Sequence, residues 1–495
     1  MKVLLIVSDL FLGEPLGILL ISAILKRAGH QTKLVALRRH DLLKELVTYE
    51  PDVVAYSAMT PESQLFAHGD ALVRQWAEGS KGRILRIMGG AHPTYFPEVV
   101  RELSLDAICV GDGDNAILSM MSRFENGESL SGIPNVVTPQ DNVEQIPREL
   151  VSSLDDLPFA DKSVYYEAAP IYRNLAMRSL MAGRGCPYAC TYCHNHAFRK
   201  FFGECGNILR RRSVENVISE IKHICTQYPP VRLIKFNDDT FAYRIDDWML
   251  EFADRYKKEI GLPFYCLMRS NTLTEDMARL LNQAGCVSIG MSVETGDEVT
   301  RNKILKRGLT DKAIIDSFRF AKKYNIKTYG NTLLAIPGTT LEDDFNSFLF
   351  TKKLGMTVPT FAIFNPYHKT VLTEYAIQIG VLSIDYDGSN QVGALSPMNN
   401  YTPSEKKKQL ALAYLGCLFC SLPDSFIPLL RLLLKVPALW IYKFLGSAYM
   451  ITKTGVTIFP GIYPVSPSLL YATFKASMKF FVPGKNLTAL AKSGK

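Results

Sequence analysis

The feature that most limits how this chain can fold is a series of short, uniformly apolar segments, each followed by a stretch with helical spacing. In the first 125 residues these are KVLLIV from Lys2, TKLVAL from Thr32, DVVAYS from Asp52, RILRIM from Arg83 and DAICV from Asp106. Helix-like stretches follow Pro15, Asp41, Pro61, Tyr95 and Asp114. A strand apolar on both faces must be covered on both faces, and alternation with helices achieves that in a parallel sheet. The fold class expected is α/β, with residues 1–125 forming a doubly wound, Rossmann-like domain. Ligands of such sheets bind beyond the carboxyl ends of the strands, which here means the loops SDLFLGEPLG, SAMTPES, GGAHPTYF and GDGDN.

Residues 126–175 hold Pro, Gly and the acidic SSLDDLP with little periodicity, and read as a linker. A second series then begins: LAMRSLMAG, VRLIKFND, LPFYCLMR, CVSIGMSVE, KTYGNTLLAIPG and PTFAIFNP. Between them lie helical spacings such as Val217, Ile221 and Ile224, a run capped by Thr274, and Ile314, Phe318 and Ala321. Six strand-helix units predict a partial (β/α)6 barrel over 176–385, with its chemistry at the strand C-termini. Residues 386–495 read as a helical, apolar region. Pro423, Asp424, Pro428, Arg431, Lys435 and Pro437 interrupt it, so a bilayer span is not expected. Two readings stay open there: helices over the barrel mouth, or helices lying in a membrane interface.

Composition narrows the class. At 47% hydrophobic and 21% charged, the chain is neither disordered nor fibrous. Its net charge of +8, with no long block of one sign, points away from nucleic acid and leaves an anionic ligand or membrane surface open. The opening MKVLLIVSDL is too short for a signal peptide and reads as a buried strand, so a cytoplasmic location is expected, with membrane association left open. The ten cysteines, mostly scattered, form no disulfide framework.

Three of those cysteines are gathered in GRGCPYACTYCHNH, residues 183–196, as Cys186, Cys190 and Cys193. Thiolates at this density suit zinc or iron-sulfur. Cys190, Cys193, His196 and Cys205 would make a closed zinc tetrahedron, and a non-catalytic zinc-stabilised binding module is one reading. Three thiolates on a four-iron cluster would instead leave one iron free, because the run lacks a ferredoxin's fourth cysteine. The run follows the first barrel strand, the end at which barrel active sites lie.

With C-x3-C-x2-C in that loop and an aromatic, Tyr192, before the last cysteine, the chain resembles the radical S-adenosylmethionine (SAM) superfamily. The resemblance implies a 4Fe-4S cluster on Cys186, Cys190 and Cys193 whose free iron chelates SAM. It further implies SAM contacts from Tyr192, from Asp238 and Asp239 in FNDDTFAY, from Arg269 with Asn271, and from Ser292 and Glu294 in GMSVETGDE. The family's Gly-Gly-Glu motif is absent, and DDTF stands in its place. A helix cap or solvated turn is the plain alternative for the acidic pair, and a salt bridge for Arg269.

A doubly wound domain ahead of such a barrel resembles the cobalamin-binding branch of the superfamily, over roughly residues 1–385. That resemblance implies cobalamin contacts from Glu14, Leu16 and Gly17, from Ser57 and Thr60, from Gly89, Gly90 and His92, and from Gly111 and Gly113. The loop Asp9, Leu10, Phe11, Leu12, Gly13 lacks the histidine of Asp-x-His-x-x-Gly proteins, so the corrin is expected to have no histidine ligand, unless His92 substitutes. The expected activity is C-methylation of an unactivated carbon in a small molecule or lipid, with a non-methylating cyclase or carbon-carbon bond-forming enzyme as alternative. An electron donor such as flavodoxin or ferredoxin is implied. Cys417 and Cys420, although spaced as C-x2-C, read as buried small hydrophobes.

Overall fold

A computed structural model describes residues 1–461 except 11–12, 80–81, 387 and 389–392. Phe11, Leu12 and residues 462–495 of the expected C-terminal region lie outside the described residues.

The first five expected strands form: β1 (Lys2–Val7), β2 (Gln31–Ala36), β3 (Val53–Ser57), β4 (Leu85–Gly89) and β5 (Ala107–Cys109). They pair in parallel in the order β2-β1-β3-β4-β5, with Leu5 beside Leu34 and Ala55 beside Ile87. The order reverses at β1, as in doubly wound sheets, and apolar clusters cover both faces.

Residues 126–175 are more than a passive connection. β6 (Val136–Val137) adds an antiparallel edge to β5. The helix Lys162–Ala168 brings Tyr165 and Tyr166 into the core that also holds Leu5, Ala55 and Ile87. Tyr165 stacks on Tyr172 at 5.6 Å, and the Tyr172 hydroxyl accepts from Arg39 Nη2 at 2.9 Å.

The second sheet contains β7 (Met177–Leu180), β10 (Leu233–Phe236), β11 (Phe264–Leu267), β12 (Cys286–Gly290), β13 (Lys327–Leu334) and β14 (Val358–Ile363), all parallel and in chain order. Between β7 and β10 lies a two-stranded antiparallel ribbon, β8 (Gly183–Arg184) with β9 (Arg210–Arg211). The helices Val214–Gln227, Glu275–Ala284 and Asp311–Lys323 fall on the expected spacings. The Thr274 hydroxyl caps the second by accepting from Met277 N–H at 3.2 Å.

The described C-terminal helices pack against the β14 side of the second sheet. Helix Pro403–Cys420 packs along β14, where a Cβ on Gly416 would meet the Phe361 ring at 2.3 Å. Beyond helix Leu439–Thr457, Ile458 packs with Tyr265 and Val358 inside the barrel, and Phe459 reaches Met177 and Leu233 at the strand starts. The described part of this region therefore runs from the β14 edge to the β7 edge of an incomplete barrel, while Met398 and Tyr401 pack with Ala335 and Ile336 just beyond β13. Cys417 lies buried in that packing, and Cys420 packs half-buried against the Phe361 cluster. Among the described residues no helix is long and apolar enough to cross a membrane.

Candidate active site

The cysteine loop runs from β8 to helix His194–Phe202, over the C-terminal ends of the barrel strands. Burial pushes the Cys193 thiol up to about 12, and the nearby Cys190, Asp239 and Cys186 add to it. Cys186 is raised by the same burial, offset in part by a hydrogen bond from Thr240. The three thiols thus share one rim. Thiols held this firmly protonated ionise when a metal takes the proton's place. Among the described residues no three His, Cys, Asp or Glu side chains close on a point suited to a single ion. Cys205, the fourth member of the zinc set, instead packs with Phe198 and Phe201 against a hydrophobic cluster. The donor set therefore fits a multi-iron cluster better than zinc.

The adjacent acids Asp238 and Asp239 part company, as neighbours do when a strand ends. Asp238 is buried, accepts from Ala182 N–H at 3.1 Å, and is pushed up to about 7 by that burial. It holds the β7 exit. Asp239 is exposed and close enough to Cys186 and Cys193 to raise both.

Arg269, at the end of β11, lies 3.8 Å over the ring of Tyr188 in the cysteine loop and donates from Nη1 to Asn271 at 2.6 Å. Its Nε and Nη2 are shielded from solvent and have no acceptor with hydrogen-bond geometry. Burial, and then Arg307 nearby, lower its affinity for its proton. Two buried donors on one planar fork, next to a second arginine, call for an anion such as a carboxylate.

Beyond β12, Glu294 adopts a positive φ of 69°, fixed by N–H donation to the Asn331 carbonyl at 3.1 Å and acceptance from Leu333 N–H at 2.7 Å. Its Oε1 accepts from Tyr192 at 3.1 Å and from Arg307 at 2.8 Å, while Arg307 also donates to the Ser292 carbonyl at 3.0 Å. The Ser292 hydroxyl accepts from Asn331 N–H at 3.2 Å. Tyr192, Ser292 and Glu294 are thus brought together by Arg307. Sequence reasoning missed that residue; its one signal was a cation 13 residues after Glu294.

On the other side of the cysteine loop is a cleft of about 340 Å³ between the first sheet, the 154–160 segment and β7–β8. Seven of the ten residues expected to contact cobalamin line it: Leu16, Gly17, Ser57, Gly89, Gly90, Gly111 and Gly113. A Cβ on Gly17 would have nothing within 4 Å, so the floor there is open. Gly111 is constrained differently, because at φ 83° its Cβ would sit 2.3 Å from Phe202 of the cysteine-loop helix. Space bounded by glycine backbone and apolar walls fits a broad, flat ligand.

The other three residues do not line this cleft. Both Glu14 oxygens are occupied: Oε1 accepts from Tyr166 at 2.5 Å, and Oε2 from Lys162 and from Ser179 N–H, each at 2.7 Å. Glu14 ties the first helix to β7. His92 faces Thr60, 3.4 Å from its hydroxyl, and packs on Phe96 with centroids 5.1 Å apart; burial lowers its pKa.

A clamp absent from the sequence reading joins cleft and cysteine loop. Arg184, two residues before Cys186, binds Asp114 through both terminal nitrogens at 2.6 and 3.0 Å, and Arg210 binds Asp112 at 2.6 Å. These aspartates alternate with the cleft glycines Gly111 and Gly113.

Comparison with known proteins agrees with this geometry. Residues 2–120 match the B12 binding domain and residues 180–349 the Radical SAM superfamily. The chain belongs to the cobalamin-binding radical SAM enzymes. Such an enzyme uses a 4Fe-4S cluster, SAM and cobalamin, together with a reductant. An uncharacterized methyltransferase of Pyrococcus horikoshii is 26% identical to this radical SAM enzyme over 82% of this chain and 87% of that one. Two solved structures share the fold. OxsB, a cobalamin-dependent SAM radical enzyme solved with aqua-cobalamin, covers 97% of this chain and 84% of its own at TM-score 0.66 and 14% identity. TsrM of Kitasatospora setae, a radical SAM methyltransferase solved with cobalamin and a [4Fe-4S] cluster, covers 82% and 81% at TM-score 0.62 and 17% identity.

Proposed function

We propose that this enzyme transfers a methyl group to a carbon of a small-molecule substrate. The observation that carries the reading is the clamp: Arg184 and Arg210 fasten the turn lining the cobalamin cleft to the β8–β9 ribbon, whose two strands precede and follow the cysteine loop. Two cofactor sites held at a fixed separation suit a reaction in which one generates a reactive carbon and the other supplies a group to it. When bound, the cluster with SAM supplies hydrogen-atom abstraction, and cobalamin supplies a methyl group.

The chain's own residues position and exclude. Cys186, Cys190 and Cys193 hold the cluster. Arg269 offers its two unpartnered donors to the SAM carboxylate, and exposed Asp239 is placed for its ammonium. Glu294, held by Tyr192 and Arg307, fixes the rim beside them. Leu16, Gly17, Ser57, Gly89, Gly90, Gly111 and Gly113 bound the cobalamin space. The similarity to a protein named a methyltransferase supports the choice of transferred group.

The test is anaerobic reconstitution with iron, sulfide and hydroxocobalamin, followed by turnover with methyl-deuterated SAM and mass spectrometry of the products. A substrate gaining a fully deuterated methyl is expected. A substrate that is cyclised or coupled, with deoxyadenosine released and no label acquired, would replace methyl transfer with the bond-forming alternative.

A further inference from the structure

Thr191, between the second and third thiols, fastens the cysteine loop to two neighbouring segments. Its hydroxyl donates to the Ile304 carbonyl at 2.7 Å and its N–H to the Leu305 carbonyl at 3.2 Å, while its own carbonyl accepts from Leu372 N–H at 2.9 Å. Each of these segments carries an exposed lysine close to the junction. Lys306 turns outward at φ 49°, between buried Leu305 and buried Arg307. Lys369 lies just ahead of helix Val371–Gln378. A third exposed lysine, Lys200, is on helix His194–Phe202, which starts directly after Cys193.

Two of these cations meet at one spot. Burial lowers the pKa of His196, on the same helix as Lys200, and Lys200, Arg199 and Lys306 lower it further with no acid acting against them. Arg199 is engaged, donating to the Pro187 carbonyl at 2.5 Å. Lys200, Lys306 and Lys369 have no ion-pair or hydrogen-bond partner among the described residues. On the barrel helices, by contrast, Lys222, Lys258 and Lys312 each pair with a carboxylate, at 2.5, 2.7 and 2.6 Å. Charge that is matched there is left unmatched around the thiols.

We propose that Lys200, Lys306 and Lys369 form the docking surface for a small acidic protein that carries one electron to the cluster. The enzyme needs a reductant, and the electron must cross the protein surface beside the thiols, where these lysines stand. One electron leaves the carrier, which is oxidised, and lowers the charge of the cluster by one; no atom is transferred. Three compact, hydrated ammonium groups on separate segments make no planar fork for a small anion, whereas they suit the steering of a broad acidic surface. The proposal rests on the cluster and is independent of methyl transfer.

Anaerobic stopped-flow mixing of the cluster-loaded full chain with reduced flavodoxin, an acidic carrier, tests it by following the loss of cluster absorbance, with no methyl acceptor present. Photoreduced deazariboflavin, small and uncharged, serves as the control reductant. Reduction by flavodoxin is expected to slow as salt rises. Lys200→Glu/Lys306→Glu should slow it at least about tenfold at low salt, the lower end of what electrostatic steering supplies, while reduction by deazariboflavin stays the same. Both lysines are exposed, so the core is untouched, and iron content with circular dichroism verifies it; if that variant loses its cluster, Lys200→Gln/Lys369→Gln decides by the same comparison. Flavodoxin reduction that is insensitive to salt, or equal in variant and wild type, overturns the proposal. So does equal slowing with both reductants, which would place the effect at the cluster itself. Unchanged flavodoxin reduction with lost binding of a labelled RNA hairpin would also overturn it and assign the lysines to nucleic acid.

Discussion

Where the strands of the first sheet end, glycines leave room: Gly17, Gly89 and Gly113 line a mostly apolar cleft, in which the charges of Asp114 and Arg184 are spent on each other. Where the barrel strands end, side chains crowd in and carry charge, with Arg269, Arg307, Glu294 and Asp239 around three thiols. Both sheets are parallel and both present their C-terminal ends, so the contrast does not come from topology. It reflects ligand size and polarity: a broad, largely apolar molecule needs room, whereas a small zwitterion needs matched charges. Perturbing one region should leave the other's ligand in place.

The largest effect is expected from replacing Cys186, Cys190 and Cys193 together with serine. Iron should fall from about four per chain to near zero, and SAM cleavage with it, while cobalamin uptake, read by absorbance, persists. Loss of both cofactors would show that the regions fold as one.

Arg269→Ala should weaken SAM binding by about 1.5–3 kcal/mol, the range for a hydrogen bond to a charged group, measured calorimetrically on cluster-loaded protein. Arg269→Lys should recover little, because it keeps the charge but loses the fork. Cobalamin affinity should not move.

Asp238 offers a pH test confined to the barrel side. Burial holds its pKa at about 7, above the ordinary carboxylate value of 3.8. The folded state therefore keeps a proton that the unfolded state releases, and this contribution to stability is present in full below about pH 4 and lost as pH rises through 7. Asp238→Asn should remove that slope, gaining about 2 kcal/mol on the wild type between pH 5 and pH 8 in denaturant titrations.

The smallest effect belongs to the cleft. Gly17→Leu should project into the space and weaken cobalamin binding about tenfold, a cost typical of overpacking. Gly17→Ala, with nothing within 4 Å of the new methyl, should stabilise the helix Leu16–Arg27 by up to about 1 kcal/mol. If Gly17→Leu binds cobalamin normally, the cleft is not where the corrin sits.

These expectations show which parts of the molecule its sequence makes legible. Strands announce themselves because burial on both faces leaves them uniformly apolar, and all eleven expected ones form. The thiols are legible because their spacing within one loop fixes their proximity. Partners distant in sequence leave no local trace: Lys162 and Tyr166 reach Glu14 across more than 140 residues, and Arg184 and Arg210 reach the aspartates of GDGDN from another domain. Glu14 therefore looks like a ligand contact when only its neighbours in sequence are considered. Residues 126–175 look slack for a related reason. Tyr165, Tyr166 and Tyr172 bury their rings while their hydroxyls find polar partners or polar edges, so no clean apolar period appears.

The position of Arg184 bears on any attempt to recombine this enzyme with its relatives. A chimaera that joined the first 125 residues to a foreign barrel would arrive with Asp112 and Asp114 intact and no guanidinium to receive them, leaving two carboxylates stranded at the seam. Crossovers should therefore be chosen so that positions 112, 114, 184 and 210 are inherited as a set, even though 98 residues separate the first from the last.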